Sequence, residues 1–443
     1  MSLNVKNSLL LIIEKVVLLG LGFINNILLA RLAGPDLFGE FSYIVSFAAI
    51  FSPLAVMGLN NIITKYIVKY PANSHYYIKS ALIIRLLGAI VSLAITTLVC
   101  LYAFNLDHQQ AGLIIMLVAM QGFTFLYVLE FFYIAKKQVS QLVKLRLVTI
   151  TLINIAKLIA IINAADLTTL IFLQGLETVL IGVCYYIMYT SQKHHQVYKL
   201  QPKKQTYLAL YQKGKWLLFS GVAAVIYLKI DQIMLANLIN TEAVAYYAAA
   251  AKLSEFWYVF PVLIANVYTT QLSHCRFKHP TLYKQLLQRL ILVLTCSAII
   301  LSLATWFFAD NIIALIYGSA YTSTAAILSV HIFASLFVFQ RAVLSKWLIL
   351  EKLYKYSLLS NLLGAVVNIL LNLLLIPKYQ GLGAAWATII AYMVASYGFL
   401  FINAKTREYA KVLHQAVLHS VPILTNLIHD LKVQYEKHSK KNN

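Results

Sequence analysis

The sequence predicts an all-α integral membrane protein, and its composition, segment length and segment pattern each predict this class. Of the 443 residues, 61% are hydrophobic and 12% are charged, and the mean hydropathy is +0.76. A soluble domain carries about 25% charged residues and has too little interior to bury this much apolar surface. The apolar runs are about 20 residues long, the length of a helix that crosses the hydrocarbon core. They do not alternate in polarity as barrel strands do.

Apolar runs between charged or turn-rich breaks predict about twelve transmembrane helices. The first six lie near 7–32, 41–64, 78–102, 110–135, 142–163 and 167–190. The second six lie near 214–238, 243–270, 286–308, 322–346, 355–376 and 382–403. Hydropathy places each end to within about four residues.

The net charge of +21 comes from basic residues that cluster in loops on one predicted side of the membrane. This distribution indicates an orientation in the membrane and not a nucleic-acid surface. Predicted inner loops carry clusters of basic residues, such as Lys136, Lys137, Lys144 and Arg146 after the fourth span. Predicted outer loops hold mostly acids, among them Asp107, Asp166, Glu242 and Asp310. The positive-inside rule therefore places both termini in the cytoplasm.

The chain divides into two six-helix halves, 1–190 and 214–403, separated by a polar cytoplasmic linker, 191–213. Ile27–Phe41 and Ile233–Tyr247 are similar hairpins at equivalent places, which favours two parallel repeats. A basic tail, 404–443, has apolar residues at helical spacing, including Leu413, Leu424, Leu427 and Leu431. This tail is either an amphipathic segment on anionic lipid or a partly disordered end.

Several features favour a transporter over an enzyme. The predicted outer loops are too short for a catalytic domain, and the sequence has no Walker A motif to bind ATP. Cys100, Cys184, Cys275 and Cys296 are scattered, so neither a disulfide framework nor a metal site is indicated. We therefore expect no catalytic residue, no metal and no cofactor.

Three stretches stand out along the chain: Leu29–Gly39 (LARLAGPDLFG) leading to Met57–Asn61 (MGLNN), then Asp231–Glu255, then Ile376–Ala387 (IPKYQGLGAAWA). They resemble the bacterial polysaccharide flippases of the Wzx type, in the multidrug/oligosaccharidyl-lipid/polysaccharide (MOP) exporter superfamily. The resemblance implies a V-shaped pair of six-helix lobes that work by alternating access. It implies a cargo of undecaprenyl-diphosphate-linked oligosaccharide for O-antigen or capsule, moved to the outer leaflet of the bacterial inner membrane. A polysaccharide polymerase and chain-length proteins are the partners implied, and we expect a monomer.

Eleven charged residues remain inside the predicted spans, where each costs about 2.5–3.5 kcal/mol at the bilayer centre. The cations, candidate ligands of a diphosphate, are Lys15, Arg85, Lys157, Lys229, Lys252 and Arg341. The acids, candidate coupling or switching groups, are Glu14, Glu130, Glu177, Asp231 and Glu255. This cost predicts that they face the bundle interior or an aqueous cavity between the two halves.

Spans 7 and 8 form a hairpin in which opposite charges lie at matching depth. Asp231 matches Lys252 and Lys229 matches Glu255, so both pairs are geometrically feasible. The pairs are either static bonds within the half or partners that exchange when diphosphate or a coupling proton arrives. Arg85 and Arg341, in opposite halves, could bracket a diphosphate near the cytoplasmic side, or Arg341 could extend to the headgroups.

Polar stripes on two spans are candidate sugar contacts. Asn361, Asn368 and Asn372 share one face of span 11, and Asn154 lies one turn before Lys157 on span 5. Hydrogen bonding between helices explains such stripes equally well.

Two rival functions stay open at this stage. A multidrug or cation antiporter of the same superfamily would need an acidic, aromatic cavity. A membrane-embedded polysaccharide polymerase or ligase would need catalytic groups on a large outer loop. The intramembrane acids allow proton or sodium coupling, and the membrane potential acting on an anionic cargo is a further energy source.

Overall fold

The computed structural model describes residues 3–102, 106–191 and 204–420, together with residues 422 and 425, and the regular structure of this part is entirely helical. The helices of the first half are α1 (Leu3–Val56), α2 (Asn60–Lys69), α3 (Ser74–Tyr102), α4 (His108–Gly122), α5 (Val128–Ala135), α6 (Val139–Ile162) and α7 (Leu167–Ser191). The later helices are α8 (Lys204–Leu238), α9 (Thr241–Glu255), α10 (Val259–Lys278), α11 (Pro280–Phe307), α12 (Ala309–Ile316), α13 (Thr322–His331), α14 (Ala334–Leu350), α15 (Tyr354–Ser396) and α16 (Ala404–Leu418). Short 3₁₀ turns lie at Pro71–Asn73, Phe123–Tyr127, Phe256–Tyr258, Ser319–Tyr321 and Gly398–Phe401.

The longest helix, α1, reverses direction at Gly34. A straight helix of its 54 residues would be about 80 Å long, more than twice the hydrocarbon thickness. Gly34 has φ 79° and ψ 176°, a conformation open to glycine because it has no Cβ. Leu18 and Phe41, from opposite sides of this break, line one cavity. The two arms of α1 are therefore antiparallel, as predicted for spans 1 and 2.

Helix α15 reverses in the same way at Gln380, which has φ 47°. Asn372 and Thr388 flank this break and hydrogen-bond to the same carboxylate, that of Asp231. Ser360 also donates to the carbonyl of Ala395, 35 residues away. These contacts require two antiparallel arms, as predicted for spans 11 and 12.

Nine helical stretches of the described residues are long and apolar enough to cross a membrane. A tenth crossing is obtained if Ser319–His331 and Ala334–Leu350, bent by 48°, form one span. Two of the nine contain the reversals at Gly34 and Gln380. The protein is thus a multi-pass helical membrane protein, and the number of twelve crossings stays a prediction.

The hydrophobic cores show where the two halves meet. One core, near the predicted outer end, combines both halves, with Phe38 and Phe47 from the first and Tyr247 and Tyr321 from the second. Toward the predicted cytoplasmic end each half has its own core, one around Phe132 and the other around Trp347. The halves therefore share a core at one end and have separate cores toward the other, which in the predicted orientation is an inward-facing arrangement.

Two glycines bring the halves close together. A Cβ at Gly39 would collide with the carbonyl oxygen of Thr241 near the outer end. Near the inner end, a Cβ at Gly58 would lie 2.5 Å from the carbonyl oxygen of Gly214 in α8. Helix α8 thus starts against the first half, where Leu210 joins its core, before it continues into the second.

The linker and tail differ in part from the prediction. Helix α8 begins at Lys204, inside the predicted linker 191–213, and residues 192–203 lie outside the described residues. Helix α16 buries Tyr409 and Ala410 in the inner core of the second half, so this part of the tail packs on protein. The apolar positions at Leu424, Leu427 and Leu431 lie outside the described residues. The division into 1–190, 191–213, 214–403 and 404–443 stays a prediction.

Candidate functional site

A cavity of about 170 Å³ lies within the first half, between the first arm of α1, α6 and α7. Its polar lining consists of Asn25, Asn26, Asn154, Lys157, Gln174 and Glu177. Its apolar lining includes Leu29, Phe41 and Leu170. Asn154 is one of the predicted sugar contacts, and the cavity places it beside three amide side chains that the sequence analysis did not single out.

The two charged side chains that line this cavity form an ion pair with each other. The Lys157 ammonium lies 2.5 Å from Glu177 Oε2 and donates to Gln174 Oε1 at 3.0 Å. Glu177 and Gln174 are three residues apart on α7, so they share one face of that helix. Lys157 and Glu177 were predicted at membrane depth but not as partners.

The hairpin of α8 and α9 carries the second charged group. Lys229 and Glu255 form an ion pair at 3.3 Å, which confirms one of the two pairings that the sequence allowed. Both side chains are about one quarter exposed, 26% and 27%. This pair therefore faces an accessible space.

Lys252 lies near this pair and is the one intramembrane lysine of α9. It is half-buried and makes no ion pair or hydrogen bond with any described residue. It lies within electrostatic range of Lys229 and Glu255 and also of Lys157 from the first half. Of these three lysines, Lys157 and Lys229 each pair with a glutamate, and Lys252 has no ion-pair partner among the described residues.

The predicted pairing of Asp231 with Lys252 is wrong. Asp231 lies two residues from Lys229 on α8, a rotation of about 200° around the helix axis. Lys252 and Glu255 share one face of α9, so Lys229 and Asp231 cannot both point toward that face. The structure places Lys229 there and turns Asp231 into the interior of the second half, where it is 2% exposed.

Neutral donors surround Asp231. The Tyr247 hydroxyl donates to its Oδ2 at 2.6 Å, Thr388 donates to Oδ2 at 2.7 Å, and Asn372 donates to Oδ1 at 2.5 Å. Asn372 also donates to Asn368 Oδ1 at 3.3 Å. Asn368 and Asn372, predicted as sugar contacts, are both fully buried in this conformation. No described basic residue pairs with Asp231.

A histidine extends this buried group. His331 Nδ1 lies 2.6 Å from the Ser254 hydroxyl, and its ring packs edge-on against Tyr247 at 5.5 Å. Tyr247 therefore connects the Asp231 carboxylate to the His331 ring. His331 and Thr388 were not predicted as site residues.

The other predicted acids form a separate cluster toward the inner end of the first half. Arg146 Nη1 lies 3.1 Å from Glu14 Oε1, and Arg146 Nη2 contacts Glu130 Oε2. Its Nε donates to the Tyr185 hydroxyl at 2.6 Å. Arg146 was expected in an inner loop, but helix α6 begins at Val139 and carries it into the bundle. Arg146 was thus missed because it was counted with the inner loop, although it lies four residues inside the predicted span 142–163.

Two of the predicted cations lie in this region but in different surroundings. Arg85 is 2% exposed, and its Nε and Nη1 have no hydrogen-bond partner among the described residues. Lys15 is exposed, in contrast to its neighbour Glu14, which is fully buried. Lys15 therefore does not join the buried cluster.

Arg341, in the second half, binds neutral groups. Its guanidinium donates to Ser360 Oγ at 2.6 Å and to Asn361 Oδ1 at 2.5 Å. Asn361 donates in turn to the Ser220 hydroxyl at 3.0 Å. Asn361, like Asn372, thus forms hydrogen bonds between helices in this conformation, whereas Asn368 bonds to Asn372 on its own helix. A role of Arg85 and Arg341 in bracketing a diphosphate stays a prediction.

Two family models match long parts of the chain. The model of a polysaccharide biosynthesis protein family matches residues 4–270, and the model of the lipid II flippase MurJ matches residues 178–431. Among curated proteins, none matches this sequence.

Solved structures share the fold at low sequence identity. A lipid II flippase MurJ in an inward closed conformation has 15% identity and a TM-score of 0.63, over 94% of this chain and 92% of the other. A multidrug resistance MATE family transporter of the MOP superfamily, inward-facing, has 13% identity and a TM-score of 0.68, over 90% and 96%. An outward-facing MATE structure has 13% identity and a lower TM-score of 0.58, over 93% and 96%.

These matches agree with the geometry of the chain. Two halves share a core at one end only, charged groups from both halves approach each other between them, and the higher of the two MATE scores belongs to the inward-facing structure. The protein belongs to the polysaccharide biosynthesis protein family and is a flippase-type transporter of the MOP exporter superfamily.

Proposed function

We propose that this protein moves an undecaprenyl-diphosphate-linked oligosaccharide from the cytoplasmic to the outer leaflet of a bacterial inner membrane, for O-antigen or capsule synthesis. The observation that carries this proposal is an intramembrane lysine without an ion-pair partner among the described residues, in electrostatic range of lysines from both halves. Lys157 and Lys229 each have a glutamate partner, whereas Lys252 has none among the described residues. A diphosphate supplies the negative charge that this group lacks.

The energetics of the membrane support this assignment. An uncompensated ammonium at membrane depth costs about 2.5–3.5 kcal/mol unless water or a counter-charge reaches it. Lys252 is half-buried, so an arriving headgroup can contact it. Because phosphate oxygens form charge-assisted hydrogen bonds with an ammonium, the cargo would relieve this cost when it binds.

Alternating access then requires the shared outer core to separate. In the inward-facing arrangement, cargo enters between the two inner cores, and the core around Phe38 and Tyr247 blocks the exit. Binding energy between the cargo and groups of both halves would draw the inner ends together. The outer contacts, including that of Gly39 with Thr241, would open in exchange.

Asp231 is the acid that we assign to energy coupling. It is a buried carboxylate without a cationic partner among the described residues. Its negative charge is stabilised either by its three hydrogen-bond donors alone or by a bound cation. Asn372 Oδ1, beside it, is buried and accepts no hydrogen bond from the described residues. A proton on Asp231 or a sodium ion held by carboxylate, amide and hydroxyl oxygens would satisfy this group. Tyr247 bonds to Asp231 and also belongs to the shared outer core. The binding of a proton or sodium ion at Asp231 would therefore affect how the halves close.

Complementation tests the proposed cargo. In a strain that lacks the gene, the wild-type protein should restore surface polysaccharide, whereas a Lys252→Gln variant should leave lipid-linked repeat units inside the cell. The matched control is Lys69→Gln, which removes an exposed lysine at the end of α2. If Lys252→Gln restores export as fully as Lys69→Gln, at equal protein levels in the membrane, the assignment of the diphosphate to Lys252 is wrong.

The rival function is multidrug or cation export, and Glu177 and Glu255 are the observations that favour it. Both carboxylates lie close to the space between the halves and are about one quarter exposed. Cells that overproduce the protein would then tolerate cationic dyes and antibiotics, and Glu255→Gln would abolish the tolerance. Unchanged tolerance, together with loss of surface polysaccharide in the deletion strain, would eliminate this rival.

A further inference from the structure

The cavity in the first half differs in chemistry from the lysine group between the halves. Its one cation, Lys157, is matched by Glu177 at 2.5 Å, so the cavity carries no net charge. Its remaining polar groups are amides, from Asn25, Asn26, Asn154 and Gln174. An uncharged, amide-lined cavity suits a neutral ligand rich in hydroxyl or acetamido groups, and it does not suit a second phosphate.

The amides are held in fixed orientations by bonds to protein. Asn25 Nδ2 donates to Asn154 Oδ1 at 2.7 Å, and Asn26 Nδ2 donates to the carbonyl of Gly22 at 2.7 Å. Gln174 Oε1 accepts from Lys157 at 3.0 Å. Asn25, Asn26 and Gln174 each bond to the protein through one end, and their other ends make no hydrogen bond with the described residues; Asn154 uses both ends, since its Nδ2 donates to the carbonyl of Ile150 at 2.8 Å.

The available ends provide both kinds of hydrogen-bonding group. Asn26 Oδ1 is buried and accepts no hydrogen bond from the described residues, and no described residue donates to Asn25 Oδ1. Gln174 Nε2 likewise has no described acceptor. A buried acceptor without a donor costs about 1–3 kcal/mol, so a ligand or water must supply the missing bond. Two acceptors and one donor match sugar hydroxyls and the carbonyl of an acetamido group.

The size and walls of the cavity limit what it can hold. Its volume of about 170 Å³ is roughly half the lower limit for sites that take drug-sized ligands. It therefore has room for one sugar ring but not for a whole repeat unit. Leu29 and Phe41 provide an apolar wall for the C–H face of a ring.

We infer that this cavity is a sugar subsite that binds one neutral or N-acetylated monosaccharide residue of the cargo, with Asn26 and Gln174 as its recognition groups. The inference rests on the proposed function, since it divides that cargo between the two halves. The diphosphate lies at Lys252, and one sugar residue lies in the first half.

Binding of two defined lipids to the purified full-length protein tests this inference. The probes are undecaprenyl diphosphate and undecaprenyl-diphosphate-linked N-acetylglucosamine, titrated in detergent by calorimetry. The wild type should bind the sugar-bearing lipid more tightly than the bare one. Asn26→Leu and Gln174→Met should each weaken binding of the sugar-bearing lipid about 5-fold, the equivalent of one hydrogen bond, and leave the bare lipid unaffected. Lys252→Gln should weaken binding of both lipids.

A matched control separates loss of recognition from damage to a helix. Asn163 is exposed and donates to the carbonyl of Ile159 at 2.9 Å, the same i to i−4 bond that Asn26 makes with Gly22. Asn163→Leu should leave binding of both lipids unchanged. Two separate variants are used, so that one misfolded protein, recognised by aggregation in size-exclusion chromatography, does not decide the result.

The remaining outcomes overturn different statements. If the wild type binds both lipids equally, or if Asn26→Leu and Gln174→Met weaken both lipids alike, the sugar subsite is wrong while the diphosphate assignment stands. If the wild type binds neither lipid, the proposed function fails and the subsite fails with it.

Discussion

Arg146 is the residue whose loss should damage the first half most, because it holds two carboxylates at once. Its guanidinium contacts Glu14, which is 0% exposed, and Glu130, which is 18% exposed. Replacement by leucine leaves the Glu14 carboxylate buried without its closest counter-charge. Removal of one partner of a buried pair costs about 3–5 kcal/mol, and we count one broken pair because Glu130 keeps partial access to water.

The expected shift in melting temperature follows from the size of the chain. An unfolding entropy of about 2.1 cal/mol/K per residue amounts to about 0.9 kcal/mol/K over 443 residues. Arg146→Leu should therefore lower the apparent Tm by roughly 3–5 °C, measured on the purified protein in detergent at a fixed scan rate. Glu14→Gln should lower it by about 1 °C or less, since it removes the buried charge and leaves Arg146 paired with Glu130.

The contrast between these two variants decides the argument. If Arg146→Leu melts at the wild-type temperature, the ion pairs do not stabilise the first half. If Glu14→Gln is as destabilised as Arg146→Leu, packing at Glu14 rather than its charge is what matters.

Three further predictions concern the conformational cycle and its coupling. Asp231→Asn should stay folded and bind cargo, but its transport rate in vesicles should no longer respond to an imposed proton or sodium gradient; a rate that still follows the gradient would contradict the role of this acid. Gly39→Ala places a methyl group against the carbonyl of Thr241, so the distances between spin labels on the outer ends of the two halves should lengthen. Unchanged distances would show that this contact does not hold the outer end closed. Exchange of the Lys229 and Glu255 charges should restore most of the stability that either single reversal loses, with a coupling energy of about 1 kcal/mol in a double-mutant cycle, because the pair is one quarter exposed.

Much of the fold could be predicted because a membrane restricts the chain to helices of a given length. The turns at Gly34 and Gln380 lie between predicted spans, where the apolar runs are interrupted by Gly-Pro-Asp and by Lys-Tyr-Gln-Gly. Hydropathy does not show that the helical backbone conformation is broken at only one residue in each interruption. For the same reason, α8 begins ten residues before its predicted span, since a helix continues beyond the membrane wherever other helices support it.

The sequence predicted the membrane depth of the charged residues of the candidate site, but not the side of the helix on which each side chain lies. Matching depth paired Lys229 with Glu255 correctly and Asp231 with Lys252 wrongly, although the 200° between Lys229 and Asp231 already excludes both pairs on one face. Contacts between distant helices, such as that of Lys157 with Glu177, depend on how the helices rotate and pack. No local pattern in a single sequence encodes that rotation.

The amide groups of the cavity were missed for a related reason. Asn25 and Asn26 lie in an apolar run and have no neighbouring charge, and Gln174 becomes notable only because Glu177 follows three residues later on the same face. That they line one cavity becomes evident only from contacts such as that of Asn25 with Asn154, which lies 129 residues away in sequence but at 2.7 Å in space.

Transport in a defined membrane tests whether the protein flips a diphosphate-linked oligosaccharide and whether Lys252 is needed for it. The purified protein is reconstituted into vesicles that carry an undecaprenyl-diphosphate-linked oligosaccharide in both leaflets, and the fraction exposed outside is followed with a membrane-impermeant enzyme that modifies the glycan. We expect wild-type vesicles to make the inner pool accessible over time, Lys252→Gln vesicles to do so at least ten times more slowly, and Lys69→Gln vesicles to match the wild type. Equal rates in protein-free and wild-type vesicles, or in wild-type and Lys252→Gln vesicles, would contradict this expectation.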